Sequence, residues 1–262
     1  MLHGGSVYLF FLRAGIEQSG LDIAGCTLYA VRTMMKFARY ILPVGLLLLS
    51  PVTEAVEVIL SGGVALKSWE HLRGPSAHDN WWANFIRAAT VQMDMTRRKK
   101  PQESIVWIVY RPSYITRGRE DGKDYVGMIR EQAAKRNARL VLVDTADQAF
   151  AAINGAARGA DKINSFYYFG HSNAHAFMLE YSNDIIGAST QWMHEDDLVT
   201  KINRTVFAAD ARCRSFGCYT GNSMSAKWFK AVGVPLWGNT EATRYHPVSN
   251  GCLPMGNGRW VR

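Results

Sequence analysis

Two short runs carry the reactive side chains. Ser165-Phe166-Tyr167-Tyr168-Phe169-Gly170 closes on His171 and Ser172, and Arg214-Ser215-Phe216-Gly217 closes on Cys218. An apolar run that ends on one polar, reactive residue reads as a buried strand. It delivers that residue to its carboxyl end, where open α/β sheets place their sites. The thiolate is the attacking form of cysteine, and an imidazole beside it can move the protons. Together they suffice for nucleophilic catalysis, with Cys218 attacking and His171 acting as acid and base. Asn222 or Ser223 is placed to cap the apolar-spaced segment Met224 to Val232, and the field of that helix favours a thiolate about one turn ahead of it. Backbone groups at Ser172, Gly217 and Cys218 are in position to receive an oxyanion.

The rest of the chain must bring these residues to one edge. Strands are expected at Val56 to Ser61, Ser104 to Tyr110, Arg139 to Val143, Ile163 to Phe169, Arg212 to Gly217 and Val234 to Gly238, each bounded by turn residues. Helices are expected at Ala65 to Leu72, from a cap at Asn80 to Met95, at Asp124 to Arg136, from Thr145 to Ala157, at Asp196 to Ile202 and at Met224 to Val232. Tyr114 to Lys123, rich in Arg and Gly, reads as a loop. Ala176 to Tyr181 reads as extended, and residues 246–262 as irregular. Strands separated by single helices predict an α/β fold with a mostly parallel central sheet and helices on both faces.

Composition sets the class. At 262 residues, 48% of them apolar and eight of them Trp, the chain can bury a full core. Its net charge of +8 is scattered apart from Arg97-Arg98-Lys99-Lys100, which no nucleic-acid motif accompanies, so no nucleic-acid partner is expected. Met35 to Tyr40 followed by the apolar Ile41 to Leu49 has the form of a secretory signal, too short to span a bilayer, with small residues before a cut after Ala55. The expected organisation is an upstream extension over 1–34, a signal peptide over 35–55, and an exported domain over 56–262 without a membrane span. That domain keeps Cys213, Cys218 and Cys252, an odd number that leaves one thiol unpaired. With Cys218 as nucleophile, Cys213 and Cys252 are free to pair.

The two strand-end motifs, with Gly217-Cys218-Tyr219-Thr220-Gly221, the following helix and the strand at Val234 to Gly238, resemble the caspase-like cysteine peptidase clan. The clan includes gingipains and the CHAT-domain proteins, and the resemblance covers about residues 104–245. It implies a three-layer caspase-like sandwich, a Cys218 nucleophile with His171 as its partner, and a peptide or protein substrate. It implies no cofactor. From the residues themselves, Asp144 and Asp184 are candidates for a substrate pocket selecting Lys or Arg, unless Asp144 only serves a turn. Asn239, Thr240 and Thr243 can line the same cleft or simply make turns.

Two other readings stand beside this one. Gly170-His171-Ser172-Asn173-Ala174 is one residue from a G-x-S-x-G elbow, which would make Ser172 the nucleophile of an α/β-hydrolase, with Asp197 or Asp210 and His246 completing a triad. Such an elbow must open into a helix. Alternatively, the chain is an inactive binding module, with Trp81, Trp82, Trp192 and the basic 97–100 cluster as its surface. No metal site is expected: His71, His78 and Asp79 lack ligand spacing, and His194 to Asp197 reads as a helix start.

Overall fold

The computed structural model describes residues 55–72, 81–183, 185 and 188–262. The expected extension and, apart from Ala55, the signal segment lie outside the described residues, as do Asn80 and Asp184. Twelve strands occur among the described residues: β1 (Ala55–Ser61), β2 (Ser104–Tyr110), β3 (Arg139–Val143), β4 (Lys162–Phe169), β5 (His171–Ser172), β6 (Ala176–Met178), β7 (Trp192–His194), β8 (Phe207–Ser215), β9 (Leu236–Asn239), β10 (Thr243–Arg244), β11 (Met255–Gly256) and β12 (Trp260–Val261). The α-helices are α1 (Asn84–Lys99), α2 (Arg111–Asp121), α3 (Tyr125–Lys135), α4 (Ala146–Asn154), α5 (Leu198–Lys201) and α6 (Met224–Val232).

Seven strands form the central sheet in the order β12-β9-β8-β4-β1-β2-β3. Every neighbouring pair is parallel except β12 against β9. The chain winds outward from β1 through β2 to β3, then returns to β4 and winds the other way. The direction reverses between β1 and β4, the point at whose carboxyl ends open α/β sheets place their sites. β5, β6 and β7 form a small antiparallel sheet directly after β4.

The strand residues divide by alternation, as a doubly covered sheet requires. Val58, Leu60, Val106 and Ile108 pack with Phe150 and Ile153 of α4 and Trp228 of α6. Ile59, Trp107 and Val109 pack on the opposite face with Phe85 and Met93 of α1, Tyr114 of α2 and Ile129 of α3. The fold is therefore an α/β three-layer sandwich.

Several local expectations change. Tyr114 to Lys123 is not a loop but lies largely within α2, which has Pro112 in its first turn and left-handed Gly122 at its end. Its Gly118 is forced by packing, since a Cβ there would lie 2.5 Å from the Lys123 carbonyl. The segment 67–72 is a 3-10 helix rather than an α-helix. The tail is not wholly irregular, because Trp260 and Val261 add the antiparallel edge strand β12 to β9. Asp124 and Thr145 cap α3 and α4, accepting from the N–H groups of Gly127 and Gln148.

Cys213 and Cys252 do not pair; both are free thiols. Cys213 is buried on β8 toward α6, while Val248 and Leu253, on either side of Cys252, pack on the opposite face. No described helix is long and apolar enough to cross a membrane.

Candidate active site

β4 and β8 are adjacent and parallel, with Tyr168 paired to Ser215. His171 and Cys218 each stand three residues beyond those paired positions, so both emerge at the same sheet edge. Ser172 and Tyr245 fasten the two segments together, and Tyr168 braces the His171 segment itself. Ser172 Oγ donates to the Cys218 carbonyl at 2.7 Å. The Tyr168 hydroxyl donates to the His171 carbonyl. The Tyr245 hydroxyl donates to the Phe216 carbonyl at 3.1 Å and accepts from Gly170 N–H at 3.3 Å. Burial, with the nearby Cys218 adding to it, holds both tyrosine hydroxyls well above their ordinary pKa, so they stay protonated and keep donating.

The imidazole is held by aromatic rings. Tyr181 stacks on His171 at 3.8 Å, and Phe85 meets it edge to face at 5.1 Å. Phe85 also meets Tyr245 edge to face at 5.0 Å, which links the histidine wall to the cysteine wall. Both catalytic candidates are buried, His171 5% exposed and Cys218 9%. A dry setting strengthens any hydrogen bond or charge inside it.

On the cysteine side, Thr243 N–H points at Sγ from 3.4 Å and Thr243 Oγ1 lies 3.6 Å from it. That hydroxyl already donates to the Phe216 carbonyl at 2.7 Å, so in the resting state it can only accept from the thiol. The N–H is therefore the group that would stabilise a thiolate. The expected contribution of α6 is smaller than its sequence position suggests. Ser223 occupies the cap position without capping, and the first helical N–H groups are bonded to the carbonyls of Ala174 and Thr220. Ser223 Oγ instead donates to Glu195, which also pairs with His175.

Tyr219 follows the cysteine at φ 63°, in the left-handed region that non-glycine residues seldom adopt. Its N–H donates to the Glu241 carbonyl at 2.9 Å, which ties this turn to the segment that carries Thr243. Gly217 N–H is bonded to Ser215 Oγ at 3.1 Å, so it is not a ready oxyanion donor as expected. Cys218 N–H has no hydrogen-bond partner among the described residues and fits that role better.

The remaining expected site residues lie elsewhere. Asp144 follows edge strand β3, three strand spacings (roughly 15 Å) from β4, and is bound bidentately by Arg111. It anchors α2 rather than a substrate pocket. Asn239 is fully buried, with its side chain bonded to Gly258 and to the Glu241 N–H; Thr240 Oγ1 accepts from Arg259 N–H. Both fix the C-terminal segment. Thr243 does reach the thiol. Phe85, Tyr181 and Tyr245 were not readable as site residues, because none of them sits in a local chemical motif and Phe85 and Tyr245 arrive from distant segments.

The Ser172 hydrolase reading meets two obstacles. The chain after Ser172 continues into β6 rather than a helix, and the Ser172 hydroxyl is committed to the Cys218 carbonyl. Of the expected contact surface, Trp82 is stacked on Tyr125 at 3.7 Å, and the Arg97 side chain donates to four backbone carbonyls around the end of α1. Trp81 and Trp192 are exposed.

The junction predicts a coupling. A Cβ on Gly217 would lie 2.2 Å from Ser172 Oγ. Gly217→Ala is expected to cost about 1–3 kcal/mol in urea unfolding, and Ser172→Gly in the same chain should recover at least half of that loss. Independent, additive costs would mean the two residues do not share this space.

Set against protein-family models, curated proteins and solved structures, the chain matches none of them.

Proposed function

We propose that this domain is a cysteine peptidase of the caspase-like kind, exported after removal of the leader. The observation that carries the reading is the direct fastening of the two strand ends, Ser172 to Cys218, with Phe85 spanning from the imidazole to Tyr245. The Cys218 thiol gives its proton to His171, and Sγ attacks the substrate carbonyl carbon, while Thr243 N–H steadies the sulfur before attack. Cys218 N–H receives the oxyanion of the tetrahedral intermediate. His171 then protonates the leaving amine, the C–N bond breaks, and a thioester remains. Water, deprotonated by His171, attacks the thioester; the acid product leaves and the thiol regains its proton.

The test is labelling. Iodoacetamide should modify Cys218 rapidly in the native protein, and His171→Ala should slow that reaction by at least about tenfold. A fluorophosphonate should leave Ser172 unmodified. Labelling at Ser172, or a Cys218 rate indifferent to His171, would refute the proposal.

A further inference from the structure

A second feature lies on the sheet face that carries α1. Strand alternation brings two cross-strand rows to this face. Glu57, Ser165 and Arg212 align in one, and Ile59, Tyr167, Arg214 and Trp237 in the next. α1 packs over the β1 and β2 part of both rows. Between α1 and the C-terminal segment, a groove of about 820 Å³ opens over β4, β8 and β9. This explains why β8 carries Arg212 and Arg214 at alternate positions inside a core sheet: their face of the strand looks into the groove.

The groove is cationic and aromatic. Arg214 lies over the Trp260 ring at 4.1 Å, and its buried Nε has no hydrogen-bond partner among the described residues. A guanidinium stacked through its plane keeps its N–H edge for an acceptor. Arg262 lies over Trp237 at 5.2 Å, and Trp237 is 40% exposed. The acids nearby do not cancel this charge. Glu57 is turned under α1 onto Thr96 and Gln92, and Glu103 is paired with Lys100. Asp210 remains against Lys99, Arg212, Arg214 and Arg262. The volume is that of a small-molecule site. Arg212 and Arg214, two residues apart on one strand, stand roughly 7 Å from each other, a span suited to linked phosphates.

We propose that this groove binds a nucleoside di- or triphosphate, with the phosphates on Arg212 and Arg214 and the base against Trp237. The proposal does not depend on the Cys218 chemistry. Full-length protein is titrated with ATP, ADP, adenosine, tripolyphosphate and a hexaglutamate peptide, following tryptophan fluorescence and heat. ATP and ADP are expected to bind and quench, with adenosine and tripolyphosphate at least about tenfold weaker. Arg212→Glu and Trp237→Ala, both at exposed positions, should each weaken ATP by about tenfold or more without shifting thermal unfolding. The proposal is overturned if neither nucleotide binds at millimolar concentration. It is equally overturned if tripolyphosphate or hexaglutamate matches ATP, or if both variants bind ATP as the parent does. A match by hexaglutamate would make the groove a dock for acidic chain segments instead.

Discussion

Cys218→Ala is expected to reduce peptide hydrolysis by roughly a thousandfold or more while leaving the fold intact. Among the described residues the sulfur's polar contacts are to Thr243 alone, and the turn around it is fixed by main-chain bonds that alanine preserves. The change therefore removes the attacking atom without disturbing what positions it. Hydrolysis of a mixed peptide library, read by mass spectrometry as new termini, measures the effect on any sequence the site accepts. His171→Ala should fall by a similar factor, and the double variant little further, because the two act as one unit. Cleavage that survives in Cys218→Ala would place the chemistry elsewhere or in a contaminant.

The second large effect concerns stability. Glu57 sits on central strand β1 and is only 2% exposed, with its carboxyl receiving hydrogen bonds from Thr96, Gln92 and Ser165. Burial pushes its pKa up to about 7, the three donors oppose the rise, and Glu103 adds to it. A carboxyl whose folded pKa exceeds its unfolded one binds more protons when folded. Stability is then highest below the unfolded value near 4.5, declines as pH rises toward 7, and levels off above it. The decline amounts to about 3 kcal/mol at most. Glu57→Gln should abolish this slope, so that variant and parent diverge between pH 5 and about 7 in denaturant unfolding, with the variant the more stable above neutrality. A parent whose midpoint rises across that interval would contradict the assignment.

Much of the sheet was legible from local pattern. Ser104–Tyr110 and Arg139–Val143 form strands, and Met224–Val232 a helix, at the bounds that apolar runs and flanking turn residues indicate. His171 and Cys218 were legible for the same reason, since a polar residue closing a buried strand interrupts the run visibly. α2 was hidden because its Arg and Gly content imitates a loop. Its glycine answers to a carbonyl outside the helix, and its buried Tyr114 makes no periodic stripe alone. Asp144 stayed open between two roles for the opposite reason: a carboxylate at a strand end looks the same in sequence whether a substrate or Arg111 receives it. The rings that cradle the imidazole come from α1 and from the stretch after β6, and only the folded chain brings them together.

The three cysteines among the described residues occupy three settings. Cys213 is sealed in the core, its pKa pushed up to about 12 by burial, and Cys252 lies open to solvent. One alkylation time course on the native protein therefore contains its own blank and its own ruler. Cys213 should stay unmodified for as long as the fold survives, reporting any unfolding, while Cys252 reacts as an ordinary surface thiol. The ratio of Cys218 to Cys252 modification then cancels reagent concentration, temperature and handling, and leaves a number that belongs to the site.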